Sequence, residues 1–197
     1  MKTHYMLVVS ICLKDSSVAF SAQGTVLVGG ALTYAVATAP VNGGLTPLLN
    51  PLPNATYTPD PDFFGVDSFS FTVATSLLTS SEATLTIRVQ AVNDEPTMTI
   101  GTPSSSAASG AGPQVVPAFA TAISKGPANE AAQKIQIQTS PHQTWNKDLF
   151  VIGPNIDVTG TLRYTPRAGQ SGATSIKFRI VDNGGSNFGG DPVGNEV

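Results

Sequence analysis

Apolar residues recur at every second position along much of this chain. Phe69, Phe71 and Val73 alternate with Ser68, Ser70 and Thr72, and Leu85, Ile87 and Val89 alternate with Thr84, Thr86 and Arg88. Leu32, Tyr34 and Val36 alternate around Thr33 and Ala35, while Ile176, Phe178 and Ile180 alternate with Lys177 and Arg179. Period two with one apolar face predicts half-buried β-strands. Gly and Pro, 19 and 15 of them, interrupt almost every window, and no stretch carries helical periodicity. The pattern predicts many short strands joined by turns.

The pattern occurs twice. Thr56-Tyr57-Thr58-Pro59 leads through Gly65 to Phe71 and Val73, and Arg163-Tyr164-Thr165-Pro166 leads through Gly172 to Phe178 and Ile180. Tyr57 and Tyr164 stand 107 positions apart (164 − 57), and the other four pairs share that offset. Proline lacks the donor that a central ladder requires, so each Tyr-Thr-Pro ends a strand. Each glycine then supplies a turn. A repeat of this length predicts tandem domains, each a two-sheet sandwich. The expected layout has a sandwich over 24–95, a linker over 96–113 and a second sandwich over 114–197.

Composition narrows the function classes. Only 12% of the 197 residues are charged, and the formal net charge is -3. No basic patch for nucleic acid is visible. No apolar run is long enough for a transmembrane helix. Cys12 is the single cysteine, so no disulfide forms within the chain. Residues 1–23 have two readings beside a ragged start. Lys2, the apolar run Met6 to Leu13 and the small residues Ala19 and Ser21 have the order of a signal peptide. Lys14 and Asp15 interrupt that order and favour a degenerate first strand.

The run Leu32-Thr33-Tyr34, Gly43-Gly44-Leu45, Tyr57-Thr58-Pro59, Phe64 to Phe69 and Ala91-Val92-Asn93-Asp94-Glu95-Pro96 resembles bacterial tandem cadherin-like or Ig-like repeats of the VCBS type. The second half is similar to a companion repeat over Ala122 to Glu130, Leu149-Phe150, Gly160 to Pro166 and Val181 to Gly185. The resemblance implies all-β sandwiches strung in arrays at a cell surface or in the medium, partnered by neighbouring repeats and serving adhesion, spacing or display. It also implies calcium at the joints. Asn93 and Asp94, with Asp67 or Asp62 from nearby loops, are the candidate ligands, and Asp182, Asn183 and Asp191 a second set. Calcium takes six to eight oxygens. The acidic string that such repeats carry before the Leu-Thr-Tyr strand is absent, since Val28-Gly29-Gly30-Ala31 stands there. The competing reading is that Asn93-Asp94 makes a turn before Pro96. The closing strand after Asp182-Asn183-Gly184-Gly185 is expected to be missing.

No catalytic constellation accompanies these motifs. His4 and His142 are the only histidines, and no Gly-x-Ser-x-Gly elbow is present. Asp60 and Asp62 flank Pro61 in a turn, which favours solvation over acid–base work. Asn54-Ala55-Thr56 fits a glycosylation triplet. Trp145, the single tryptophan, suits a core position, or with Phe188 a sugar-stacking platform. The expected function is therefore a non-catalytic structural and adhesive module. The alternative is a carbohydrate- or ligand-binding accessory module of a secreted enzyme.

Overall fold

The computed structural model describes residues 10–21, 31–46, 54–101 and 103–197. The chain divides into two compact units, Met1–Val92 and Asn93–Val197. Each is an all-β sandwich with its own apolar core.

The first unit contains β1 (Ser10–Leu13), β2 (Val18–Ser21), β3 (Thr33–Thr38), β4 (Gly43–Thr46), β5 (Asn54–Pro59), β6 (Gly65–Ala74) and β7 (Ala83–Gln90). One sheet has the order β1-β7-β6-β3 and the other β2-β5-β4. The alternating positions face inward as expected: Phe69, Phe71 and Val73 of β6 and Leu85, Ile87 and Val89 of β7 are all buried. Across the gap they meet Phe20 of β2 and Tyr57 of β5, with the Phe20 and Phe69 rings tilted at 5.2 Å. Each such side chain contributes about 1.5–3 kcal/mol by leaving water. β1 pairs with β7 in parallel, Ser10 opposite Ile87 through Leu13 opposite Gln90. Cys12 is buried on this strand, and its thiol, held above its usual pKa by burial, donates to the Ser16 carbonyl at 3.0 Å.

The second unit contains β8 (Thr97–Ile100), β9 (Gln114–Val116), β10 (Ala120–Ser124), β11 (Gln136–Thr139), β12 (Phe150–Ile156), β13 (Leu162–Pro166), β14 (Phe178–Val181) and β15 (Val193–Glu196). Its sheets run β11-β14-β15 and β12-β13-β9, with β8 paired to β10. The 107-residue offset survives in three dimensions. β5 and β13 both end on their Tyr-Thr-Pro, and Tyr57 and Tyr164 are both buried. Gly65 and Gly172 both take positive φ, 132° and 148°, a region closed to other residues.

Four sequence expectations need revision. Ser10–Leu13 and Val18–Ser21 are paired strands of the first unit, which agrees with the strand reading of 1–23 and moves the start of that sandwich before residue 24; residues 1–9 and 22–23 lie outside the described residues. The stretch 96–113, expected as a linker, carries β8, whose Met98 is buried in the second core. The second sandwich likewise starts before residue 114, at β8. The closing strand expected to be missing is β15, antiparallel to β14. It falls on the 107 offset from residues 86–89 of β7 (193 − 107, 196 − 107).

Candidate functional site

Asp67 lies at the start of β6 and is 5% exposed. Its Oδ1 accepts from the backbone N–H of Val41 at 3.2 Å and of Ser68 at 2.8 Å. Its Oδ2 accepts from the Asn42 N–H at 3.0 Å and the Tyr57 hydroxyl at 2.9 Å. The carboxylate therefore ties the turn before β4 to β5 and β6. Tyr57 is fully buried, and burial first, then its bond to Asp67 and that carboxylate's charge, hold its hydroxyl well above its ordinary pKa.

Asp62 occupies the turn after β5 in a left-handed conformation (φ 63°) and donates its backbone N–H to Asp15 Oδ1 at 2.9 Å. Lys14 Nζ lies 3.7 Å from Asp15 and 3.8 Å from Asp62. The Lys14 stem is buried, so two half-exposed carboxylates compensate its ammonium. Asp60 is exposed in the same turn.

In the second unit the structure brings Asn93 together with Asp182 and Asp191. Asn93 Nδ2 donates to both Asp182 carboxylate oxygens at 3.2 Å and to the Asp191 carbonyl at 2.8 Å. Asn93 Oδ1 accepts from Gln133 Nε2 at 2.7 Å. Asp182 Oδ1 also accepts from the Gly184 N–H, and Asp191 Oδ1 from the Val193 N–H, both at 2.8 Å. Asn183 turns elsewhere and accepts from the Lys134 N–H at 2.7 Å. Asp94 donates its backbone N–H to Glu130 Oε1 at 3.0 Å; Glu130 is buried at the end of the 3-10 turn Ala128–Glu130. Gln133 carries no motif, and only its tertiary position reveals it.

This donor chemistry decides the fit to calcium. Both carboxylate oxygens of Asp67 and of Asp182, Asn183 Oδ1 and Asp191 Oδ1 accept protein N–H or O–H groups, and the Asn93 oxygen accepts another amide. Each oxygen engaged in this way is one fewer for calcium, which takes six to eight. Asn93, Asp182 and Asp191 thus form a hydrogen-bonded network whose engaged oxygens do not fit a calcium cage.

Trp145 is half-buried, against the expected core plug. Its ring meets Phe150 edge-on at 5.7 Å, and Phe150 meets the buried Tyr164 edge-on at 5.8 Å. A Cβ on Gly153 would lie 2.9 Å from the indole, and Lys147 Nζ sits 5.6 Å over the ring. The indole thus caps the edge of the second core. Phe188 is 59% exposed in the loop before β15. His142 is exposed; His4 lies outside the described residues.

Residues 8–88 match the family model of bacterial Ig domains. The first unit is similar to bacterial Ig domains over those residues, and the chain as a whole has a cadherin-like fold of tandem β-sandwiches. It is similar to the solved human protocadherin-24 EC1-2 at 15% identity, covering 99% of this chain and 94% of that one with a TM-score of 0.53. A second crystal form of that protein gives 12% identity, 99% and 95% coverage and a TM-score of 0.54. At these identities the likeness is one of fold: tandem β-sandwich repeats. A search of curated proteins finds no sequence match. Among the described residues no helix is long and apolar enough to cross a membrane.

Proposed function

We propose that this repeat chain is a non-catalytic structural and adhesive module of a larger extracellular or surface protein, with neighbouring repeats as its natural partners. The observation that carries the reading is the repetition itself: the same strand plan recurs at an offset of 107 residues (164 − 57), each copy with a separate core. The candidate carboxylates serve as ties within loops, which is what a load-bearing module requires and what a catalytic site does not. In the first unit the parallel pairing of β1 with β7 adds a mechanical argument. Tension entering before β1 and leaving after β7 pulls these strands in opposite directions along their length. The ladder is then loaded in shear, and its bonds resist together instead of opening one by one.

Stretching the whole chain in a single-molecule force experiment tests this. Two separate rupture events are expected, each releasing roughly 30 nm of chain at about 3.4 Å per residue. A single event, or extension without any force peak, would remove the load-bearing role.

A further inference from the structure

We infer that the Asn93 side chain takes, at the leading end of the second unit, the place a cation would hold between Asp182 and Asp191, so that this focus of oxygens is closed without calcium. Three oxygens converge on a single nitrogen: Asp182 Oδ1 and Oδ2 at 3.2 Å each and the Asp191 carbonyl at 2.8 Å. A group at such a focus must carry positive charge or donate protons, and the Asn93 NH2 does the latter. The orientation of the amide is fixed by its other end. Asn93 Oδ1 accepts from Gln133 Nε2 at 2.7 Å. Reversing the amide would set its oxygen against three oxygens and its NH2 against another NH2.

The loop is shaped to admit this side chain. A Cβ on Gly184 would lie 1.6 Å from Asn93 Oδ1 and 2.6 Å from Gln133 Nε2. A Cβ on Gly190 would lie 2.8 Å from the Asn93 backbone nitrogen and 2.9 Å from its Cβ. The glycine-rich sequence after Asp182 is therefore a receptacle for Asn93. Two neighbouring oxygens are committed as well, Asp191 Oδ1 to the Val193 N–H and Asn183 Oδ1 to the Lys134 N–H. Three oxygens are half the minimum that calcium takes, and an entering ion must first expel the amide.

The test uses the full chain, with Trp145 fluorescence reporting the second unit, because it is the single tryptophan. The wild-type melting midpoint is expected to be equal in EDTA and in millimolar calcium. Asn93→Ala should lower it by about 5–10 °C in both, the scale for losing one or two satisfied polar contacts in a domain of this size. Asn93→Asp should fall at least as far in EDTA, since it faces Asp182 with a like charge. It should recover in calcium, because a second carboxylate turns the focus into a cation site. A wild-type midpoint that rises several degrees with calcium would overturn the inference, as would Asn93→Asp matching wild type in EDTA. If the variants do not fold, the wild-type side-chain amide resonances of Asn93 decide. They should be protected from exchange and unmoved by calcium, and a calcium-induced shift would refute the proposal. A negative force experiment leaves this network untouched, so the two readings fail separately.

Discussion

Gly194→Ala is expected to destabilise the second unit strongly while the first keeps its wild-type stability. Gly194 is buried in the middle of β15. A Cβ there would lie 1.6 Å from the Pro96 carbonyl oxygen, 2.7 Å from the Pro96 carbonyl carbon and 2.8 Å from Cγ2 of Ile180. Two of the three neighbouring atoms are backbone and the third belongs to a fully buried core residue, so none is a flexible chain end. Pro96 cannot move aside either. The Asn195 side chain grips the next strand, accepting from the Met98 N–H at 2.9 Å and donating to the Met98 carbonyl at 2.8 Å. Overpacking a core ordinarily costs about 1–3 kcal/mol. With backbone as the obstacle we expect about 3–5 kcal/mol, a large part of a domain's total stability. The Trp145 fluorescence melt of the second unit should fall well below that of wild type. Hydrogen exchange over Phe69–Val73 and Leu85–Val89 should remain as slow as in wild type. A Trp145 melt within about 2 °C of wild type would mean that β15 does not pack against Pro96.

That same glycine explains why β15 was not legible in the sequence. Val193-Gly194-Asn195-Glu196 has a glycine at its inward position, so it leaves no apolar mark for a period-two reading to find. The long alternating strands β6 and β7 were legible because five or six consecutive faces agree. β8 escaped because its single buried residue, Met98, precedes a polar, small-residue run that reads as linker. β1 and β2 were only half legible: a strand was one reading of residues 1–23, but four-residue strands around Lys14 and Asp15 resemble a leader as much as a fold. The Tyr-Thr-Pro pairs and their glycines carried the domain repeat, since backbone requirements of that kind are local.

The candidate site was legible as a set of residues but not as chemistry. Asn93 on one side and Asp182 and Asp191 on the other stood out as two separate candidate sets, and the fold brings them together. Whether an asparagine offers its oxygen to a metal or its NH2 to a carboxylate depends on which groups surround it. Asp182 is 89 residues away in sequence and Gln133 40 residues away. Asp67 has the same history, since an acid beside a turn looks solvated until the fold buries it against Tyr57.

Asp67→Ala should therefore damage the first unit as a structural lesion. The substitution leaves the Val41 and Asn42 N–H groups and the Tyr57 hydroxyl without the acceptor they share, though Tyr57 keeps its 3.1 Å bond to the Asn42 carbonyl. Hydrogen bonds to a charged group contribute about 1.5–3 kcal/mol, and orphaned buried donors add to the loss. We expect roughly 3 kcal/mol, read by hydrogen exchange in the first unit, with Trp145 fluorescence unchanged because it reports the other unit. Tyr57→Phe removes only the hydroxyl and should cost about 1–2 kcal/mol. The pair also predicts a pH dependence with a definite sign. The folded state holds the Tyr57 proton more tightly than the unfolded chain, whose tyrosines release theirs near pH 10. The stabilisation is fully present below that pH and declines as pH rises above it, by up to about 1.4 kcal/mol per pH unit. In Tyr57→Phe this share of the alkaline decline should vanish, so the stability curves of variant and wild type converge above pH 10. Parallel curves through that range would show that the buried hydroxyl titrates like an exposed one, and would break the link between Tyr57 and the Asp67 carboxylate.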